Sequence, residues 1–147
     1  MKVCKNIEFS TEKIFQVLLN SLYDDIKSVN NDIIFDNVVE GFSYKKQLKP
    51  QVGKEVEVVV NVVKLVKPTD YKVEFVSSRG TNSISYKLEK IQDELTSVEL
   101  FEDFEPVSTS DKINYKVMSF ILSKKLKKRG LSQIAQIEQI LQSKTEG

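Results

Sequence analysis

The chain has no histidine, no tryptophan and a single cysteine, Cys4, among its 147 residues. Without histidine there can be no Ser-His-Asp or Cys-His nucleophile pair. One cysteine and no histidine also leave an ordinary zinc site without ligands. A lone thiol excludes an internal disulfide and fits a reducing compartment. The five glycines are scattered, so no glycine-rich loop is present to cradle a phosphate. No apolar run approaches the roughly 20 residues that cross a bilayer, so no transmembrane segment is expected. The opening Met1-Lys2-Val3-Cys4-Lys5-Asn6 lacks the apolar centre of a signal peptide, which makes the cytoplasm the expected location. Together these absences argue against most enzyme classes, and no catalytic residue, metal or cofactor is assigned.

What is present is an ordinary globular composition, 40% hydrophobic and 29% charged. A chain of this length reads as one domain that buries roughly two-thirds of its unfolded surface. The net charge of +1 is unevenly spread: residues 111–147 hold eight Lys/Arg against three Asp/Glu, or +5, which leaves +1 − 5 = −4 for residues 1–110.

The stretch from Ser108 to Lys144 reads as one long amphipathic helix. Ser108-Thr109-Ser110-Asp111 after Pro106 supplies a capping hydroxyl and a first-turn carboxylate. Met118, Leu122, Leu126, Gly130 and Ile134 then recur at steps of four, with Ile137 and Leu141 extending the row. Ile113, Val117, Phe120 and Ile121 widen the stripe. Gly130 costs a helix interior about 1 kcal/mol relative to alanine, yet the apolar phase runs through it. It marks a place where a neighbour comes close, with a break there as the alternative. Lys124, Lys125, Lys127, Lys128 and Arg129 form a basic run, most of it opposite the stripe.

Upstream, Lys2 to Phe9 alternates as a strand, and Ser10 caps a helix whose buried face is Ile14, Phe15, Leu18, Leu19, Leu22, Tyr23 and Ile26. Asn30-Asn31-Asp32 ends it, and a short helix over Phe35 to Glu40, closed by Gly41, follows. From Phe42 the period is two. Strands are expected over Phe42–Leu48, Lys54–Lys67, Tyr71–Val76, the Ile84-Tyr86-Leu88 alternation, and a last one setting Val98, Leu100, Glu102 and Phe104 against Glu99, Phe101 and Asp103. Turns fall at Lys49–Gly53, Pro68–Asp70, Ser77–Gly80 and Gln92–Glu94.

Short turns make the five later strands an antiparallel meander. One face of that sheet is apolar and needs a cover, and the terminal helix is the element long enough to provide it. The fold class is α+β, about six antiparallel strands curved around a long C-terminal helix. Such a sheet rarely packs solid against one helix, and the remaining space is a pocket.

This order resembles the START-like (SRPBCC, helix-grip) superfamily over nearly the whole chain, and an uncharacterised bacterial branch of it in particular. The resemblance rests on Met1-Lys2-Val3 followed by Ser10-Thr11-Glu12-Lys13-Ile14-Phe15, on Gly41-Phe42-Ser43-Tyr44-Lys45-Lys46, on Ser78-Arg79-Gly80-Thr81 leading into Ser85-Tyr86-Lys87-Leu88, and on the late Lys-Lys-Arg run. It implies a protein that holds a lipid, sterol, polyketide or other hydrophobic molecule between sheet and helix; some members are cyclases and others only carry ligand. Many members have seven strands, and six are read here.

The candidate ligand-binding residues are Tyr44, Tyr71, Phe75, Tyr86, Glu102, Met118, Phe120 and Ile121. Glu102 shares the apolar phase of its strand, where a carboxylate needs a partner or shifts its pKa upward. The alternative is that the strand bulges or ends near Phe101 and Glu102 reaches water. Tyr71 and Tyr86 share the inward phase, where a hydroxyl can meet a ligand or simply backbone or water. Cys4 is expected outward and unreactive. The Lys124–Arg129 run has few aromatics beside it, so base stacking is poorly supported and nucleic acid is not the expected partner. The leading expectation is a non-enzymatic binding module for a small hydrophobic or amphipathic ligand. The alternatives are an interaction module that docks its basic helix on an acidic protein or membrane surface, and a cyclase- or hydratase-like enzyme using Glu102 and a tyrosine. Whether the chain is a monomer or a homodimer stays open.

Overall fold

The computed structural model describes residues 1–49 and 53–146. Its elements are β1 (Lys2–Ile7), α1 (Thr11–Val29), a 3-10 turn (Phe35–Asn37), β2 (Ser43–Leu48), β3 (Val56–Val66), β4 (Asp70–Ser77), β5 (Gly80–Gln92), β6 (Leu95–Pro106), α2 (Thr109–Ile121) and α3 (Ser123–Glu146). The six strands form one antiparallel sheet in the order β1-β6-β5-β4-β3-β2. The meander expected from the short turns is therefore present, and the first strand closes its far edge beside the last. Of the turn expected over Lys49–Gly53, Pro50, Gln51 and Val52 lie outside the described residues.

Alternation decides what faces inward. Val58, Val60 and Val62 are buried along β3, and the register then slips between Val62 and Lys64. The extra residue, Val63, bends the strand and returns Leu65, rather than Lys64, to the phase that pairs with Tyr71. On β6 the inward row is Val98, Leu100, Glu102 and Phe104. It runs past Phe101 without a register shift, so Glu102 keeps its inward phase.

The cover of the sheet is shared between helices, not supplied by the terminal one alone. α1 is capped by Ser10, whose Oγ accepts from the Lys13 amide at 3.3 Å. It buries Ile14, Phe15, Leu18, Leu19, Leu22 and Ile26. From α3, Ile134, Ile137 and Leu141 complete the same core. Gly130 is buried, and a Cβ there would meet Met1 Sδ at 2.8 Å and Val3 Cγ2 at 3.0 Å. The close neighbour expected at that glycine is the start of β1.

Two helical expectations are corrected. The helix expected over Phe35–Glu40 is a single 3-10 turn, because the backbone leaves helical angles at Val38 and Gly41 takes φ +91° to enter β2. The Ser108–Lys144 rod passes through Gly130 unbroken but is bent at Leu122, where φ −97° and ψ 13° depart from the helix while the Leu122 N–H still reaches the Met118 carbonyl at 2.9 Å. Neither glycine nor proline stands there. On either side of the bend the helices are held by tertiary packing: Tyr115 meets the Phe104 ring edge-on at 5.4 Å, tying α2 to the end of β6, while Ile134 of α3 lies in the core.

Candidate functional site

Between the Tyr115–Phe104 contact and the buried Ile134, α2 and the start of α3 lie beside the end of β6 with space left between them. The result is a cleft of about 480 Å³. Its sheet wall is Asn82 of β5, Glu102 and Phe104 of β6, and Met1; its helix wall is Tyr115, Met118, Ser119 and Leu122, continued by Leu126 and Arg129. Asn82 and Phe104 are cross-strand partners, so one rung of the ladder forms the floor. Most of the lining is apolar, with a few polar atoms set into it.

Those polar atoms have an unusual balance. The Glu102 side chain is only 14% exposed and has the Arg129 guanidinium 3.7 Å from Oε1. Its other oxygen, Oε2, is buried and has no hydrogen-bond partner among the described residues, and the same holds for Ser119 Oγ. The Glu102 backbone is fully engaged with Met1, whose carbonyl accepts from the Glu102 amide and whose amino nitrogen donates to the Glu102 carbonyl, both at 2.9 Å. The strand is therefore pinned, and the carboxylate is presented on fixed backbone.

Of the residues expected to bind ligand, the structure brings Glu102 and Met118 into this cleft. The others lie elsewhere. Tyr71 and Tyr86 are buried core residues, with Tyr71 edge-on to Phe15 at 6.4 Å and to Tyr86 at 6.1 Å. Burial pushes the Tyr86 hydroxyl up to about 12, with the Glu102 charge as a second cause. Burial likewise raises Tyr71, helped by the charges of Tyr86 and Asp25. Tyr44 donates to Asp25 of α1, and burial followed by that hydrogen bond holds its hydroxyl far above the ordinary tyrosine value. Lys46 reaches the same carboxylate at 3.0 Å and lies over the Phe75 ring at 5.2 Å. Tyr44 and Phe75 thus belong to a satisfied polar cluster that fastens α1 to β2 and β4, away from the cleft.

Phe120 and Ile121 point outward, as do Ile113 and Val117; Phe120 is 84% exposed. α2 buries none of its residues. The row at steps of four, from Met118 through Leu122 and Leu126 to Ile134, runs from the cleft into the core, with Met118 51% and Leu122 38% exposed at its open end, and the residues that widened it form a second apolar face turned to solvent.

Ser119, Asn82, Tyr115 and Arg129 are cleft residues that the sequence reading passed over. Only Ser119 had a signal, since it adjoins Met118 on the inner face. Arg129 flanks the Leu122-Leu126 row of the helix, and its guanidinium reaches Glu102 of β6. The lining residues bring one carboxylate, one guanidinium, one carboxamide and two hydroxyl groups to otherwise apolar walls, with Glu102 Oε2 and Ser119 Oγ themselves buried. Tyr44, Tyr71 and Tyr86 are not among the residues that line this cleft.

Residues 1–123 match the model of a family described as Domain of unknown function (DUF3284), a match that ends at the first residue of α3. No curated protein matches the sequence. Among solved structures, the crystal structure of Ara h 8.0201 is 14% identical and covers 97% of each chain with a TM-score of 0.62. The solution structure of a protein from Arthrobacter aurescens is 10% identical, covers 97% of this chain and 85% of its own, and gives 0.58. A conserved protein from Geobacillus kaustophilus is 18% identical over 98% of this chain and 95% of its own, with a TM-score of 0.57. At such identities the likeness concerns the fold, which is the helix-grip fold.

Proposed function

We propose that this chain, which belongs to the DUF3284 family, is a START-like carrier that holds one small hydrophobic or amphipathic molecule between the sheet and the C-terminal helices, without transforming it. The observation that carries this reading is the cleft under the Leu122 bend. Its volume, about 480 Å³, lies within the roughly 300–1,000 Å³ of small-molecule sites, and its apolar walls with few polar atoms have the usual composition of one. The exposed thiol of Cys4 suits a reducing cytoplasm as the place of action.

The chain offers a direct probe, because its two methionines, Met1 and Met118, both line the cleft. With methyl-labelled methionine, titration with medium-chain amphiphiles is expected to move both methyl resonances saturably. Leu122→Trp, which fills the cleft from a partly exposed position, is expected to weaken binding about tenfold or more, equivalent to about 1.4 kcal/mol. Methyl resonances that stay fixed for every amphiphile, or an affinity indifferent to Leu122→Trp, would overturn the reading.

A second reading has its own observation, the solvent-facing stripe of Ile113, Val117, Phe120 and Ile121 on α2. Residues 112–137 hold seven Lys/Arg and no Asp/Glu, so an anionic bilayer is the complementary surface. Co-sedimentation with vesicles containing phosphatidylserine is expected to exceed that with neutral phosphatidylcholine vesicles. It is expected to fall with salt, and to fall further when Phe120 becomes Ser or when Lys124, Lys127 and Lys128 become Glu. Equal recovery on both vesicle types would sink this reading and leave the cleft untouched.

A further inference from the structure

We infer that the apolar face of α2 docks a second copy of this chain, through the acidic segment around that copy's 3-10 turn. The inference is independent of the carrier reading. It adds an occupant that an anionic bilayer would have to displace from the same helix.

Two exposed patches carry the argument. The first is the α2 stripe of Ile113, Val117, Phe120 and Ile121, set within residues 112–137, which hold seven Lys/Arg and no Asp/Glu. An apolar face rimmed by charge is the mark of an interaction site. The second patch lies at the end of α1 and the turn after it, where Val29, Ile34, Phe35 and Val39 are exposed. Phe35 stacks on Tyr23 with ring centroids 4.4 Å apart, so it belongs to a fixed surface. Residues 24–40 around it hold five Asp/Glu against one Lys, a net of −4. Most of these charges are unpaired. Asp24, Asp32 and Asp36 have no ion-pair partner among the described residues, and neither do Lys116, Lys124, Lys125, Lys127 and Lys128.

Electrostatics chooses between the ways two copies can meet. Packing α2 on α2 covers the apolar residues but sets two basic runs side by side, and like charges across an interface repel. The acidic segment against its own copy fails for the same reason. Placing α2 on the acidic segment joins apolar residues at the centre to opposite charges around them. The acidic row on β6 competes less well, because Glu99 and Glu105 are already bridged, to Lys2 at 3.6 Å and Lys112 at 3.5 Å. A contact that uses different patches on the two copies is head-to-tail, so it builds rings or filaments.

Sedimentation velocity of the full chain is expected to show mass rising between micromolar and millimolar concentration, and rising less at high salt. Changing Asp24→Lys, Asp32→Lys and Asp36→Lys together is expected to weaken association about tenfold or more. The same loss is expected from Lys124→Glu, Lys127→Glu and Lys128→Glu together. Mixing the two triple variants restores opposite charge at each contact and is expected to restore association, which also shows that both are folded. Glu89→Lys, Asp93→Lys and Glu94→Lys shift the net charge equally near the β5–β6 turn, and are expected to leave association unchanged. A native chain that stays monomeric would overturn the inference, whether or not it binds phosphatidylserine vesicles. Triple variants that do not recombine, or an equal loss from the β5–β6 control, would overturn it too.

Discussion

An Ile134→Asp variant is expected to be unfolded, or nearly so, under conditions where the native chain is stable. Ile134 has 0% exposure and sits with Ile137 and Leu141 on the face by which α3 enters the core against β1 and α1. A carboxylate there either stays charged without a partner or takes up a proton, and both are costly. The loss is expected to be about 4 kcal/mol or more, a large part of the roughly 5–15 kcal/mol that stabilises a typical domain. Ile134→Ala removes the packing without adding charge and is expected to cost about 3 kcal/mol. The Lys5–Glu138 bridge beside this region, at 3.4 Å and partly exposed, contributes about 1 kcal/mol at most and does not rescue either variant. Denaturant unfolding followed by circular dichroism measures both; an Ile134→Asp midpoint near that of the native chain would contradict the role given to α3.

The second large effect is expected at Gly80. Its φ is +153°, and a Cβ added there would lie 2.3 Å from the Glu105 carbonyl oxygen and 2.9 Å from Pro106 Cα. Both are backbone atoms of β6, held by the Gly80–Pro106 pairing, so they cannot move aside without opening the end of the sheet. Gly80→Ala is expected to cost about 3 kcal/mol or more. Gly41→Ala provides the control, because Gly41 also has a positive φ, +91°, but its Cβ would meet nothing within 4 Å. Backbone strain alone predicts about 1 kcal/mol there. At roughly 2–4 °C per kcal/mol for a chain of this size, the two melting temperatures separate clearly. Equal losses would mean that the β5–β6 contact at Gly80 is not tight. The contact bears on the proposed site as well, since Asn82 and Phe104, two pairs further along the ladder, line the cleft.

Much of the fold was legible because local and tertiary requirements agree in it. Val58, Val60 and Val62, or Val98 and Leu100, alternate in a way that only a half-buried strand explains, and turn residues separate such runs. Glu102 was legible for the same reason, its phase following from Leu100. The bend at Leu122 was not, because the side chain there is an ordinary helix former. Read from the sequence, Ile113, Val117, Phe120 and Ile121 widen the buried stripe, whereas they face solvent. Arg129 flanks the stripe in that reading, and its partner on β6, Glu102, is visible only in the fold. Asp25 was equally hidden: it sits on the partly exposed flank of α1, and only the approach of β2 gives it Tyr44 and Lys46.

The strand order has a consequence for how the chain is made. β1 pairs only with β6, Lys2 opposite Phe101 and Ile7 opposite Thr96, so this strand, synthesised before the rest of the sheet, waits for β6 before it has a neighbour. Meanwhile β3, β4 and β5 can form their hairpins locally. Assembly therefore ends with a long-range closure whose loop entropy slows it. Until then the apolar residues Val3 and Ile7 are unprotected, which makes the interval before that closure the time when a nascent chain of this protein most needs a chaperone.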